Sequence, residues 1–267
     1  MKSFTIQKND AGVRLDRWLT KNLPLLPDPL AQKYIRLKRV KLNGKGAKRD
    51  TRLTVGDLLE LYINDEFFER PTPENAFLSV FEPKLDILYE DENLLLVDKR
   101  PGLVVHPDET ERVTTLITHI QAYLYQKKEW NPYTERSFAP ALCNRIDRNT
   151  GGIVIAAKNA ETLRIMNEKI RDREVEKYYL CIVHGAITPP AGTLRHILLK
   201  DEAKKQVSVH HQAVPGGRSA ATEYRTLARR DSLSLLECRL ITGRTHQIRA
   251  QFAAAGHPLL GDGKYGR

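Results

Sequence analysis

The chain has 267 residues, of which 41% are hydrophobic and 28% charged, and it carries a formal net charge of +10. That size accommodates one sizeable domain with a small one appended, and the composition excludes a disordered or fibrous chain. The longest apolar runs, at 94–97 and 152–157, are far too short to cross a bilayer, and the opening MKSFTIQKND has no apolar signal core.

The sequence therefore predicts a cytoplasmic protein with no membrane partner. Cys143, Cys181 and Cys238 are odd in number and widely spaced, so they fit neither a disulfide framework nor a zinc site and read as reduced thiols. No metal is expected. The charge is unevenly placed: residues 11–62 hold twelve Lys/Arg against five Asp/Glu, a net +7, and the other 215 residues carry only +3. A basic module on a nearly neutral body points to a polyanion grip beside a separate working part.

In chain order, AGVRLDRWLTKNLP predicts an amphipathic helix with Val13, Leu15, Trp18 and Leu19 on one face. Pro24, Pro27 and Pro29 interrupt the chain, and a second helix is predicted over 30–37. KRVKLNGKGAKRDTRLTVGDLLELYI then alternates apolar and polar residues about Asn43-Gly44, which predicts a hairpin, and Val55-Gly56-Asp57 marks a turn before a strand at 58–63. Arg14-Leu15-Asp16, the RVKLNGK run and the VGD turn resemble the small RNA-binding domain named after ribosomal small-subunit protein S-four. The resemblance covers about fifty residues and implies RNA contacts from Arg36, Lys38, Arg39, Lys41 and Lys45. Residues 64–82 are irregular and proline-bearing and read as a linker between a 1–63 domain and an 83–267 domain.

The second domain opens with LDILYEDENLLLVDKRPGLVVHP, a strand, an acidic turn and another strand. Helices are predicted at 114–125, 159–171 and 244–255. Strands are predicted at 153–157, 176–184, 193–199, 205–210, 219–228 and 233–241. Many strands without regular βαβ alternation give an α+β fold class, a mixed and mainly antiparallel sheet domain beside a small N-terminal α+β one.

NRIDRNTGG, residues 144–152, sets one carboxylate between two arginines ahead of a sharp turn. Two flanking cations favour the charged form of Asp147, which suits a nucleophile or electrostatic stabiliser rather than a general acid. A structural Arg–Asp network on a turn remains open on composition alone. A glycosidase would need a second carboxylate, and no nearby motif offers one.

NRIDRNTGGIVIAAKN resembles the central motif of the RluA-type RNA pseudouridine synthases, usually H-R-L-D-R-x-T-S-G before an apolar strand. Arg145, Asp147, Arg148, Thr150 and Gly152 match; Asn144, Ile146 and Gly151 depart. EKYYLCIVHG resembles the family's K-x-Y-x-A-x-V-x-G strand. ITGRTHQIRAQFAAAGHPLLGD resembles its closing segment with Gln251 where His is common, and YEDENLLLVDKRPGLVVHP resembles its first motif. These stretches lie within some 180 residues.

The resemblance implies isomerisation of uridine to pseudouridine with no cofactor. Asp147 is then the catalytic group and Arg249 its partner. Ile248 and Tyr179 hold the uracil, and Arg145 props the space that the flipped nucleotide leaves. Arg148, Arg244, His246 and Gln247 brace loops and bind phosphate, and Lys99 and His106 support the site. The expected partner is RNA, ribosomal large-subunit RNA first and transfer RNA second, met by a monomer. The alternative is a non-catalytic RNA-binding or ribosome-assembly factor that keeps the fold. The family normally continues past GDGKYG with a further strand, so the chain reads as truncated at its C-terminus and less stable than a lengthened version.

Overall fold

The computed structural model describes residues 1–70, 72, 75–109, 111, 113–135 and 137–266. Its chain divides into two compact units, Met1–Met166 and Asn167–Arg267.

The first unit opens with a strand that the sequence reading did not anticipate, β1 (Lys2–Thr5), followed by helices α1 (Leu15–Asn22) and α2 (Asp28–Arg36). Leu15, Trp18 and Leu19 of α1 and Ala31, Tyr34 and Ile35 of α2 are buried, as their helical spacing requires. Strands β2 (Val40–Leu42) and β3 (Lys45–Gly46) form the hairpin about Asn43 and Gly44, both with positive φ, at 52° and 76°. Strand β4 (Leu58–Leu61) completes a sheet ordered β1-β4-β2-β3. Asp57 fixes the turn before β4: its carboxylate accepts from the Thr54 N–H and the Asn43 side chain, both at 2.8 Å.

Residues 64–82, read as a linker, carry short 3-10 turns at Asp65–Phe68 and Ala76–Ser79. Phe67, Phe77 and Leu78 lie in the same buried cluster as Ile6, Leu19, Leu95 and Val154. Phe4 stacks on Phe68 at 6.2 Å, and Phe77 meets Trp130 edge-on at 5.1 Å. Their apolar side chains stitch the basic module onto the remainder of the first unit, so the described part of this stretch is core rather than spacer. Pro71, Pro73 and Glu74 lie outside the described residues.

Strands β5 (Ile87–Glu90), β6 (Leu94–Lys99), β7 (Ala141–Leu142) and β8 (Gly152–Ala157) form a second antiparallel sheet, ordered β5-β6-β8-β7, with helix α3 (Leu116–Gln126) between β6 and β7 in the chain. Helix α4 (Ala160–Arg171) carries the division between the units.

The second unit is one antiparallel sheet of β9 (Tyr178–His184), β10 (Ala191–Asp201), β11 (Gln206–His210), β12 (Arg218–Arg230) and β13 (Leu233–Leu240), ordered β11-β10-β12-β13-β9. Helix α5 (Gln247–Ala254) packs on it and buries Ala250, Gln251 and Phe252. The fold is thus α+β with antiparallel sheets, as the strand-rich pattern predicts. Among the described residues no helix is long and apolar enough to cross a membrane.

Candidate active site

The NRIDRNTGG stretch leaves β7, turns, and enters β8. Its departure from the usual His, Asn144, has a structural account. The Asn144 amide accepts from the Ile155 N–H at 2.8 Å and donates to the Ile153 carbonyl at 3.2 Å, so one side chain closes both ends of a strand-edge gap. The Asp147 carbonyl accepts from the Thr150 N–H at 3.0 Å and makes the turn. Gly152, with φ of 123°, starts β8 in a conformation that disfavours any side chain. Gly151 sits against the Pro101-Gly102 turn: a Cβ there would lie 3.2 Å from the Pro101 ring, tighter than the Ser of the usual motif would tolerate without a shift.

Lys99 holds this loop from below. Its side chain is 1% exposed, and its ammonium donates to three main-chain carbonyls: Arg100 at 3.0 Å, Leu103 at 2.9 Å and Arg148 at 2.9 Å. Burial lowers the Lys99 pKa, and the charge of Asp147 opposes that shift. The ammonium and the carboxylate therefore feel each other while the ammonium ties the loop. The Gly102 N–H donates to the same Arg148 carbonyl at 2.8 Å. Half-buried Asp147 thus precedes a carbonyl held by two donors.

Arg145 and Arg148 are both exposed. The Arg148 guanidinium pairs with Asp108 at 3.3 Å. His106 is exposed, and its pKa is lowered first by the protein packed around the ring and then by the Arg145 charge.

In the second unit Tyr179 leaves β9 toward the core and Tyr178 leaves it the other way. Tyr178 is 54% exposed and bonds Glu176 at 3.1 Å. Tyr179 and Ile248 pack against one apolar cluster of Val183, Leu236, Cys238 and Phe252. These are the two residues the motifs single out to face a base.

Arg249, next on α5, makes a bidentate ion pair with Asp262, Nε to Oδ2 at 2.7 Å and Nη2 to Oδ1 at 3.0 Å, and its guanidinium lies 5.2 Å from the Tyr265 ring centroid. Arg249 draws the Asp262 pKa down to about 2; burial opposes it, and the N–H groups of Lys264 and Tyr265 assist. The sequence reading gave Asp262 no role. Its place in the GDGKYG run that ends the closing segment was the only signal.

His246 precedes α5 in the left-handed region, φ 52°, and its Nδ1 shares a 2.8 Å hydrogen bond with the Tyr265 hydroxyl. Arg244 donates to the Ser219 carbonyl at 3.1 Å. Gln247, expected to brace a loop and bind phosphate, is 2% exposed. Its Oε1 accepts from Thr242 Oγ1 at 2.8 Å and the Arg244 N–H at 3.0 Å, and its Nε2 donates to the Ala221 carbonyl and Thr222 Oγ1. All of its capacity goes to bracing, which leaves none for phosphate. Gln251 is likewise buried. It accepts from Thr222 Oγ1 at 2.7 Å and donates to the Leu194 carbonyl at 3.1 Å.

On the N-terminal module Lys38, Arg39 and Lys41 line one open depression together with Met1 and Tyr62. Lys41 stands 5.0 Å from the Tyr62 ring centroid. Arg36 and Lys45 are exposed outside that lining. Among the described residues no group of three or more His, Cys, Asp or Glu side chains is arranged to hold a metal ion.

Residues 93–254 match the profile of the family described as RNA pseudouridylate synthase. An uncharacterised RNA pseudouridine synthase of Mycoplasma genitalium is 32% identical over 266 residues, covering 98% of this chain and 81% of that protein. The ribosomal large subunit pseudouridine synthase C of Vibrio parahaemolyticus is 30% identical over 263 residues, covering 98% and 79%. Among solved structures, human RNA pseudouridylate synthase domain containing 1 aligns with a TM-score of 0.55 at 22% identity over 74% of this chain and 73% of that one. Human RNA pseudouridylate synthase domain containing 4 gives 0.54 at 26% identity over 67% and 68%.

Proposed function

The chain belongs to the RNA pseudouridylate synthase family, and on that premise we propose that it converts one uridine of ribosomal large-subunit RNA to pseudouridine in the cytoplasm, with Asp147 as the catalytic group. As a family member it is an isomerase acting on RNA. The bond from ribose C1′ to uracil N1 breaks, the base turns, and C1′ bonds to C5; the proton lost from C5 balances the one gained at N1. Nothing is oxidised or hydrolysed.

The observation that carries the reading is the loop of residues 144–152 inside the family match, with Asp147 on a turn tied by Lys99 and Gly102. A carboxylate that must meet a sugar or base in one orientation needs such fixed support. Tyr179 and Ile248, sharing one apolar cluster, are the proposed uracil clamp. Base stacking on such a ring is worth about 1–3 kcal/mol. The pairing of Arg249 with Asp147 is proposed from the motif, and Asp262 would orient that arginine.

Arg145 is the proposed occupant of the vacated stack. The motif match of Arg145, Asp147, Arg148, Thr150 and Gly152 supports the RluA type. Two helices leading into a tight basic hairpin support an S-four-type grip through Lys38, Arg39 and Lys41. The relative named for the ribosomal large subunit supports that RNA over transfer RNA.

The test is to delete the gene in its host, map pseudouridine in all stable RNAs, and restore with wild type or Asp147→Asn. One site should vanish on deletion and return only with wild type. Restoration by Asp147→Asn would refute the catalytic assignment.

A further inference from the structure

Among the described residues none answers the charge of Lys177. Its carbonyl accepts from the Leu240 N–H at 2.9 Å, which fixes it where β9 begins beside β13. Two residues before Tyr179, it projects to the same sheet face. Its half-buried ammonium lies under the Thr242-Gly243-Arg244 loop, 3.8 Å from where a Gly243 Cβ would stand, and that loop leads directly into the helix of Ile248 and Arg249.

The charged neighbour it feels is a second cation, Arg173, and burial together with that charge lowers the Lys177 pKa. Among the described residues neither side chain has a hydrogen bond or an ion pair. The acidic residues nearest them in the chain are already engaged: Glu174 pairs with Lys169 at 2.6 Å, and Glu176 with Arg239 at 2.6 Å. Two neighbouring cations without a carboxylate, one of them half-desolvated, cost stability in the free protein. An anion from outside would offset that cost.

Resting on the uridine-isomerising reading above, we infer that Lys177, backed by Arg173, binds a backbone phosphate of the RNA at or next to the target nucleotide. Tyr179 then meets the base while Lys177, on the same face, holds the strand that delivers it. A phosphate gripped at this point fixes the direction in which the strand enters and the side from which the base is presented. The lysine acts as a point charge, which arginine can replace in charge and glutamine cannot.

The test uses the full chain and the stable RNA in which pseudouridine mapping finds the Asp147-dependent site. Dissociation constants are measured across a salt series for wild type, Lys177→Gln, Lys177→Arg and Arg173→Gln, with melting temperatures alongside. Lys177→Gln should weaken binding about tenfold. It should also lower the magnitude of the log–log salt slope by about one, the signature of one lost phosphate contact. Lys177→Arg should keep the wild-type slope, and Arg173→Gln should shift the slope the same way as Lys177→Gln without lowering the melting temperature.

An unchanged slope in Lys177→Gln overturns the inference while leaving the isomerase reading intact. If Lys177→Gln fails to fold, an unchanged slope in Arg173→Gln overturns it instead, and a loss in Lys177→Arg equal to that in Lys177→Gln does so too. If mapping finds no Asp147-dependent site, both fall together.

Discussion

The Lys99 ammonium donates a 2.9 Å hydrogen bond to the main-chain carbonyl of Arg148, one residue beyond the carboxylate proposed to do the chemistry. With Arg100 and Leu103 it satisfies three carbonyls at once, two of them on the turn that follows β6. Lys99→Met would leave these buried acceptors unanswered. The expected loss is roughly 1–3 kcal/mol of stability by urea denaturation. Single-turnover pseudouridine formation should fall further than substrate binding does, because the turn carrying Asp147 loosens.

Asp262 should prove as necessary as Arg249. Asp262→Asn removes one anionic oxygen from a bidentate pair and weakens the N–H contacts to Lys264 and Tyr265. Turnover should drop at least tenfold, read as single-turnover rate. Arg249→Lys should not recover it, since an ammonium cannot reproduce the planar fork.

Acid should weaken the first unit through Glu90. Burial works to raise the pKa of this carboxylate, but Lys127 at 2.8 Å, Tyr123 at 2.7 Å and Lys158 at 3.1 Å outweigh it and hold the group at about 2 against an ordinary 4.5. The folded-state pKa is depressed, so the stabilisation is fully present above about pH 4.5 and fades as pH falls toward 2. Unfolding free energy measured across that window should decline by about 2–3 kcal/mol from this group. Glu90→Gln should flatten the decline and lower stability at neutral pH.

Gln247→Leu tests whether the loop before α5 is held internally. Four hydrogen bonds vanish, and the Ala221 carbonyl and Thr222 hydroxyl lose a partner in a buried setting. A destabilisation of about 2–4 kcal/mol is expected from denaturant midpoints.

The basic depression on the N-terminal module should govern salt dependence more than stability. Replacing Lys38, Arg39 and Lys41 together by Gln should reduce the log–log salt slope for RNA binding by about two, at a melting temperature near that of wild type. Substitution is the right instrument, because removing residues 1–63 would strip partners from Phe67 and Phe77, which share that module's core.

Much of this was legible in the sequence. Helical spacing announced α1, which buries Leu15, Trp18 and Leu19, and α4, whose apolar side is only partly covered, and Gly256 marked the end of α5. The motifs singled out Asp147, Tyr179 and Arg249 as candidates. Other features were hidden for physical reasons. Phe67, Phe68, Phe77 and Leu78 follow no period, since short 3-10 turns impose none over so few residues. Strand β1 is four residues long and earns its place only by pairing with β4, far along the chain. Asp262 joins Arg249 across a turn rather than along a helix face, so no spacing rule links them. The first motif marks Lys99 as a support of the site, but nothing in the sequence shows that it acts through three main-chain carbonyls.

Asn144, standing where histidine is usual, changes how the loop responds to acid. An amide side chain gains and loses no proton anywhere in the range that cells experience, whereas an imidazole at this position would carry two donors once protonated and could no longer accept from the Ile155 N–H. The tie between this loop and its strand is therefore indifferent to acidity.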